Sequence, residues 1–251
     1  MNIKFLQLNL LEGGIYWDNI TALIKRENPD VLCLQEVFNG DTKQPPHFQS
    51  TSHLKALLRH YHSYYSPELY EIWPQGQTDQ GNAIFSRFPI TQEKTIFLHG
   101  TYKRLTRPPQ ENDFSHYPKN MQHVVIPING KQLHVFNLHG IWGKGGDDSP
   151  ERSRMGNIIA QEIKEKTYAV LMGDFNLKPS TKVVANIEKY MVNVFKNELT
   201  TSFNMKHKTN PGYATAVVDM FFTSPEVDVI SKSSPEDDVS DHRPFVVTID
   251  I

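Results

Sequence analysis

Residues 171–177 read L-M-G-D-F-N-L. They end an apolar run, Tyr168 to Met172, of the length of a buried strand. At its end Asp174 and Asn176 stand two apart, and an extended backbone points residues so spaced to one side. Such a pair can divide labour, the carboxylate orienting or deprotonating a water while the amide donates to a phosphate oxygen. A plain turn at Gly173-Asp174 would read the same way in isolation. Repetition gives the stretch its weight, because polar groups stand at the ends of other apolar strands too.

Asn9 lies near the end of a strand marked by Ile3, Phe5, Leu6, Leu8 and Leu10, and Glu36 near the end of Val31 to Val37. Asn137 and His139 end F-N-L-H-G, and Asp241 and His242 stand in S-D-H-R-P-F. Helical spacing separates the strands. Trp17, Ile20, Leu23 and Ile24 form one helix, closed by Pro29; Leu54, Leu57, Leu58 and Tyr61 form another, entered through Ser50, Thr51 and Ser52. Glu151 to Lys166 is a third. Further strands are expected near Ala83–Ser86, Thr95–Leu98, His123–Ile128, Leu133–Leu138, Val217–Thr223 and Phe245–Ile249. This alternation defines an α/β architecture, and such proteins often place ligand chemistry at strand ends. Polar groups at five such ends are hard to dismiss as punctuation.

Asn39–Gln49, Glu68–Gln80 and Gly100–Asn120 are polar, contain Pro and Gly, and read as long loops, a length that favours a binding role. None has the composition of a linker, so residues 1–251 read as one domain.

The chain has 251 residues, and chains of this size bury roughly three quarters of the surface exposed when unfolded. A net charge of -2 and a pI near 6.6 argue against non-specific coating of nucleic acid, which calls for a basic protein or a basic stripe. They leave local phosphate binding open. Cys33 is the single cysteine, so no internal disulfide is possible, which suits a reducing compartment. No apolar run approaches the length of a membrane span. Met1 to Leu10 alternates like a strand and forms no signal-peptide h-region. A cytoplasmic location and a monomer are the expectation. The remaining histidines show no zinc-ligand spacing.

Two carboxylates sit in unusually apolar company. Glu36 has Val31, Leu32, Leu34 and Val37 around it, and an unpaired carboxylate on a buried strand is costly. A solvated charge at a strand edge would be the plainer account. Asp219 interrupts Val217, Val218, Met220, Phe221 and Phe222, where a lone ionised group would be expensive. A histidine partner resolves that cost, since the anion stabilises an imidazolium; a purely structural pair would look identical. Asp241 and His242 are adjacent and would diverge on an ideal strand. They share a site only if Ser240–Pro244 bends, which Pro244 favours.

The motifs L-Q-E-V, G-N-A-I-F-S-R-F-P-I, N-L-H, G-D-F-N, V-V-D-M-F-F and S-D-H-R-P, in that order between Asn2 and Ile249, resemble the endonuclease/exonuclease/phosphatase superfamily. G-D-F-N followed by S-D-H-R-P is the specific part. The resemblance implies two packed mixed β-sheets flanked by helices, a four-layer α/β sandwich of the DNase I type. It implies a divalent-metal-dependent phosphoesterase using Mg²⁺, with Mn²⁺ as a substitute, a hard ion that takes few carboxylates and keeps several waters. Glu36 is then the main metal ligand, with Asn9 and Asp241 close by. Asp174 activates the attacking water and Asn176 binds the scissile phosphate. Asp219 orients His242, which contacts the phosphate, while Asn137 and His139 contact the phosphate or assist the leaving group.

Where some members carry a carboxylate two residues after the first asparagine, this chain has Leu11, which implies one principal ion. Trp142 reads as a stacking platform, and Arg104 and Arg107 as a positive patch for a second phosphate; an exposed aromatic and a solvated charge cluster are the plainer accounts. Phosphodiester hydrolysis is the first expectation, with nucleic acid among the candidate substrates. A phosphatase for a small, inositol or lipid-derived phosphate comes second. A binding module that has lost turnover should lack one of Glu36, Asp174, Asp219 or His242, and all are present.

Overall fold

The computed structural model describes residues 1–108 and 112–251. Strand β1 (Asn2–Asn9) leads through helix α1 (Trp17–Glu27) to β2 (Val31–Phe38), then helix α2 (Ser50–Leu57). Six strands follow in chain order: β3 (His62–Trp73), β4 (Gly76–Ser86), β5 (Gln92–His99), β6 (Lys103–Thr106), β7 (Lys119–Ile128) and β8 (Lys131–His139). Helix α3 (Pro150–Ile163), β9 (Ala169–Asp174), α4 (Lys182–Ile187), β10 (Val192–Asn193), β11 (Asp219–Thr223), β12 (Asp228–Ser233) and β13 (Phe245–Asp250) complete the chain. Among the described residues two mixed sheets form, ordered β12-β13-β1-β2-β4-β3-β6 and β10-β11-β9-β8-β7-β5.

Period-two alternation sorts the apolar residues into three layers. Leu6, Leu8, Leu32 and Leu34 face outward onto Ile20, Leu23 and Leu54 of α1 and α2. Phe136, Leu138 and Leu171 face outward onto Met155, Ile159 and Val184 of α3 and α4. Ile3, Phe5, Val31, Cys33, Val170, Met172, Phe221 and Phe245 meet between the sheets. Each such side chain, fully buried, stabilises the fold by about 1.5–3 kcal/mol. The result is a four-layer sandwich of two sheets flanked by helices, as the resemblance implied.

The inner layer changes character along the strands. Two residues beyond Phe5, β1 turns Gln7 inward, and β2 turns Gln35 inward beyond Cys33. There Gln7 Nε2 donates to Gln35 Oε1 (2.9 Å), Gln35 Nε2 to Asn137 Oδ1 (2.6 Å) and Asn137 Nδ2 to Gln122 Oε1 (2.9 Å). One step further stand Asn9, Asp174 and His139. The sandwich thus runs from hydrocarbon, through a buried amide layer, to a charged end.

Glu68–Gln80 is not a loop: β3 and β4 pair through it, from Pro67↔Gly81 to Trp73↔Gly76. Its strand pattern is masked because inward positions hold charged or polar groups, Glu68, Glu71 and Thr78, all buried. Within Gly100–Asn120, β6 pairs in parallel with β3 and β7 begins at Lys119, while residues 109–111 lie outside the described residues. Strand β12, exposed at every residue, carries no burial pattern to read.

Candidate active site

Three neighbouring strands deliver the centre. His139 of β8 pairs in parallel register with Asp174 of β9, and Asp174 pairs in antiparallel register with Asp219 of β11. Their side chains stand in a row at the end of the inner face. Gly173 and Gly140 permit this approach: a Cβ on Gly173 would lie 2.0 Å from the Leu138 carbonyl oxygen, and one on Gly140 2.1 Å from that of Phe175.

The opposite sheet supplies Asn9 and Glu36. By alternation Glu36 would follow Leu32 and Leu34 toward the helices. A bulge between Leu34 and Val37 and a left-handed φ of 54° turn it into the cleft instead. Asn9 Nδ2 donates to Glu36 Oε1 (3.1 Å) and Asp174 Oδ2 (3.2 Å), clamping the two sheets together. The Glu12 backbone N–H donates to Glu36 Oε2 (2.8 Å). Leu11 and Glu12 are left-handed too, at φ 58° and 48°. Each such residue costs on the order of 1 kcal/mol or more, and such strain gathers at functional sites.

Asp174 Oδ2 lies 3.8 Å from His139 Nε2 and 3.9 Å from His242 Nε2. Its Oδ1 accepts the Asn176 backbone N–H (2.8 Å). Asn176 is left-handed, φ 54°, so D-F-N is a turn closed by the aspartate and not the extended pair the spacing implied. Asparagine tolerates that conformation and aspartate accepts from two residues on.

His242 Nδ1 lies 2.8 Å from Asp219 Oδ2, and the other Asp219 oxygen accepts from Gln7 Nε2 (3.1 Å). Burial opposes charge on His242, but Asp219, then Asp241 and Asp174, outweigh it and push its pKa up to about 10. The three carboxylates thus favour the imidazolium form of the ring. The bend at Ser240–Pro244 is present: His242 forms an isolated bridge to Phe203, and both Asp241 and His242 line the cleft. Asp241 Oδ2 meets Lys208 Nζ at 2.6 Å and Oδ1 accepts from Ser240 Oγ at 3.2 Å. Burial works against the Asp241 charge, but His242 and Lys208 hold its carboxyl below the usual range.

Behind His139 sits a buried pair. Lys119 Nζ lies 3.0 and 3.1 Å from the two ring nitrogens, and Glu68 Oε2 lies 3.5 Å from both Nδ1 and the ammonium. Burial opposes the Glu68 charge, but Lys119 and His139 outweigh it and lower its pKa.

These groups open into a cleft of about 770 Å³. Trp142, Phe114 and Tyr213 supply aromatic walls, and Lys144 and Lys178 line it as well. Arg107 lines it, 3.9 Å over the Trp73 ring and 3.2 Å from Glu12. Arg104 is not among the lining residues; it lies 5.0 Å over Tyr70 on the exposed β6. Asn137 also stays below the cleft, spent on Gln122 and on the Leu34 and Ala83 carbonyls. A separate depression of about 430 Å³ between α1 and α2 lies among none of these groups. No sequence signal marks Glu68, Lys119 or Lys208 as site residues, because each arrives from a remote segment. Glu12 carries a local signal, the Gly13-Gly14 pair after it.

Two arrangements have the chemistry to hold a metal. Asp174, Asp219 and His242 offer ligand atoms within 4.8 Å of one another, but His242 Nδ1 is committed to Asp219. Glu36 and Asp241 offer hard oxygens and both act electrostatically on Glu12 and Lys208. Each Glu36 oxygen has one N–H donor, so lone pairs remain. Oxygen-only anionic groups suit a hard divalent ion, and the Asp174, Asp219 and His242 group could hold a metal as well.

The chain is a two-sheet α/β sandwich whose strand ends converge on one cleft lined with carboxylates, amides and histidines. Residues 6–242 match the model of the Endonuclease/Exonuclease/phosphatase family, and the chain belongs to that family, whose members are hydrolases acting on phosphate esters. The fold is similar to that of an endonuclease/exonuclease/phosphatase from Beutenbergia cavernae (TM-score 0.77, 17% identity, 100% of this chain and 72% of that one). It is similar also to a mannosyl-6-phosphatase from Bacteroides thetaiotaomicron (TM-score 0.74, 17% identity, 99% and 100%). A third likeness is to TDP2 from D. rerio complexed with a single-strand DNA product (TM-score 0.70, 17% identity, 100% and 99%). A curated Rickettsia prowazekii protein named UDP-N-acetylmuramoyl-L-alanyl-D-glutamate--2,6-diaminopimelate ligase is 25% identical over 162 residues, 64% of this chain; the match spans 30% of that protein. Among the described residues no helix is long and apolar enough to cross a membrane.

Proposed function

We propose that the chain is a divalent-metal-dependent phosphodiesterase that attacks its substrate in line with a water activated by Asp174. One observation carries the reading: Asp174 Oδ2 stands between two histidines, 3.8 Å from His139 and 3.9 Å from His242, at the floor of the cleft. Asp174 accepts a proton from the water. His242, kept cationic by Asp219, donates its Nε2–H to a phosphoryl oxygen as negative charge builds. Asn176 contributes its amide and His139 a second ring N–H or acceptor beside the leaving group.

Glu36 and Asp241 would hold the ion, with Asn9 orienting Glu36; when bound it supplies Lewis-acid neutralisation of phosphoryl charge, and Mg²⁺ is the proposed species. The one-domain organisation, the cytoplasmic location and the monomeric state belong to the same reading. A phosphatase is the second reading, favoured by the Arg107, Lys144 and Lys178 cations round a cleft of modest volume and by the mannosyl-6-phosphatase likeness. Bis-para-nitrophenyl phosphate and para-nitrophenyl phosphate, each with Mg²⁺ or Mn²⁺, distinguish the two. Hydrolysis of the diester supports the first; hydrolysis of the monoester alone supports the second; neither would return the chain to a binding role.

A further inference from the structure

The acid cluster already contains a cation, and it is part of the chain. Lys208 Nζ lies 2.6 Å from Asp241 Oδ2, and Asp241 is only 5% exposed. The rings of Phe203 and Tyr213 flank the ammonium at 5.7 and 5.3 Å, adding cation–π attraction. The segment carrying Lys208 is tied to the bend carrying Asp241. Asn204 N donates to the Asp241 carbonyl (2.8 Å), Asn204 Nδ2 to the Ser240 carbonyl (3.0 Å) and Lys208 N to the Asn204 carbonyl (3.0 Å). Next to it His207 hydrogen-bonds Asp238 and stacks on Tyr16 at 4.5 Å. Lys208 is therefore delivered to Asp241 by a built turn, not by a loose surface chain.

We propose that Lys208 is a tethered counter-cation of the metal site, neutralising Asp241 until a divalent ion displaces it. This rests on the reading that Glu36 and Asp241 hold the ion. Without the ammonium, Asp241, Glu36 and Glu12 would face one another with one neutralising charge fewer, which disfavours the metal-free state. With it, an incoming ion meets a like charge and an occupied carboxylate oxygen, so affinity is held below what the carboxylates alone would give. On loading, the freed ammonium remains in the cleft that Lys208 lines, where it becomes a donor for a phosphate oxygen. The ion thus uncovers a second cation for the substrate.

Calorimetric titration of Mn²⁺ and Mg²⁺ into wild type, Lys208→Met, Lys208→Arg and Glu36→Gln tests this. Lys208→Met keeps the stem and loses the charge, and should bind Mn²⁺ about tenfold tighter or more. Lys208→Arg should bind like wild type. Equal or weaker binding by Lys208→Met overturns the proposal. If Glu36→Gln loses binding while Lys208→Met is unchanged, the metal site stands and the role of Lys208 falls. If Glu36→Gln binds like wild type, the metal site itself is misplaced and the proposal falls with it. Should wild type bind neither ion, binding gained in Lys208→Met supports the proposal and none in either protein overturns it. A measurement on wild type covers a variant that does not fold: amine acylation mapped by mass spectrometry. Saturating Mg²⁺ should raise the rate at Lys208 by about fivefold and leave Lys232 unchanged; no change at Lys208 overturns the exchange.

Discussion

Asp219→Asn removes one charge from a fully buried position and nearly preserves shape. Asp219 Oδ2 lies 2.8 Å from His242 Nδ1. Burial disfavours the imidazolium, yet Asp219, Asp241 and Asp174 together raise its pKa from an ordinary 6.5 to about 10. Two unit charges about 4 Å apart at an effective dielectric near 20 interact by about 4 kcal/mol, equivalent to about three pH units. In Asp219→Asn, His242 should therefore lose its proton near neutrality. Because the folded pKa lies above the unfolded one, His242 contributes stability that is complete below pH 6.5 and is lost as pH rises through about 10. The stability gap between wild type and Asp219→Asn should be widest below pH 6.5 and close toward pH 10. Proton NMR of the metal-free protein, with the His242 ring assigned by its absence in His242→Gln, reads the titration; urea unfolding across pH reads the gap. The same titration pH in both proteins refutes the pairing. In the active enzyme kcat should fall, its alkaline limb should move to lower pH, and adding His242→Ala should cost little more, since residues acting as a unit are not additive.

Further outcomes follow from the same geometry. Asp174→Asn should lower kcat by about two to four orders of magnitude with KM little changed, the scale of a general base; a loss confined to KM would make Asp174 a binding group. EDTA should abolish activity and Glu36→Ala should weaken Mg²⁺ binding in calorimetry, whereas full activity in EDTA removes the metal from the reading. Arg107→Ala should raise KM for a multiply charged substrate while Arg104→Ala leaves it alone, since only Arg107 lines the cleft; equal effects would assign both to folding. Arg152 is buried and donates to the carbonyls of Ile141, Gly143, Asp147 and Asn176. Arg152→Met should cost about 3 kcal/mol in urea unfolding and raise KM by loosening the loop that carries Trp142 and Lys144; an unchanged midpoint would show that water replaces the guanidinium.

Legibility tracked physical cause. β1, β2, β8 and β9 were readable because each carries inner and outer apolar faces, and burial on both sides writes itself into every residue. β3 was not, since its inward positions hold Glu68 and Glu71, whose partners Lys119, Tyr117 and Arg107 come from segments that composition reads as loop. The exposed edge strand β12 buries nothing and so leaves no pattern.

Sequence by itself determined the α/β class, the strand ends that carry Asn9, Glu36, His139, Asp174, Asp219 and His242, and the need of Asp219 for a cationic partner. Those follow from local rules: alternation, strand length, and the cost of an unpaired buried charge. Tertiary structure alone decided which polar groups share the cleft. Alternation points Glu36 toward the helices, and a bulge with one left-handed residue reverses it. Spacing makes Asp174 and Asn176 an extended pair, whereas a turn closed by the aspartate is what brings both to the cleft. Asn137 matches the motif but spends its amide between the sheets, while Lys119 and Lys208, anonymous in sequence, stand against His139 and Asp241. Charge acts through space, and the distances that set it are fixed only when both sheets have closed on each other.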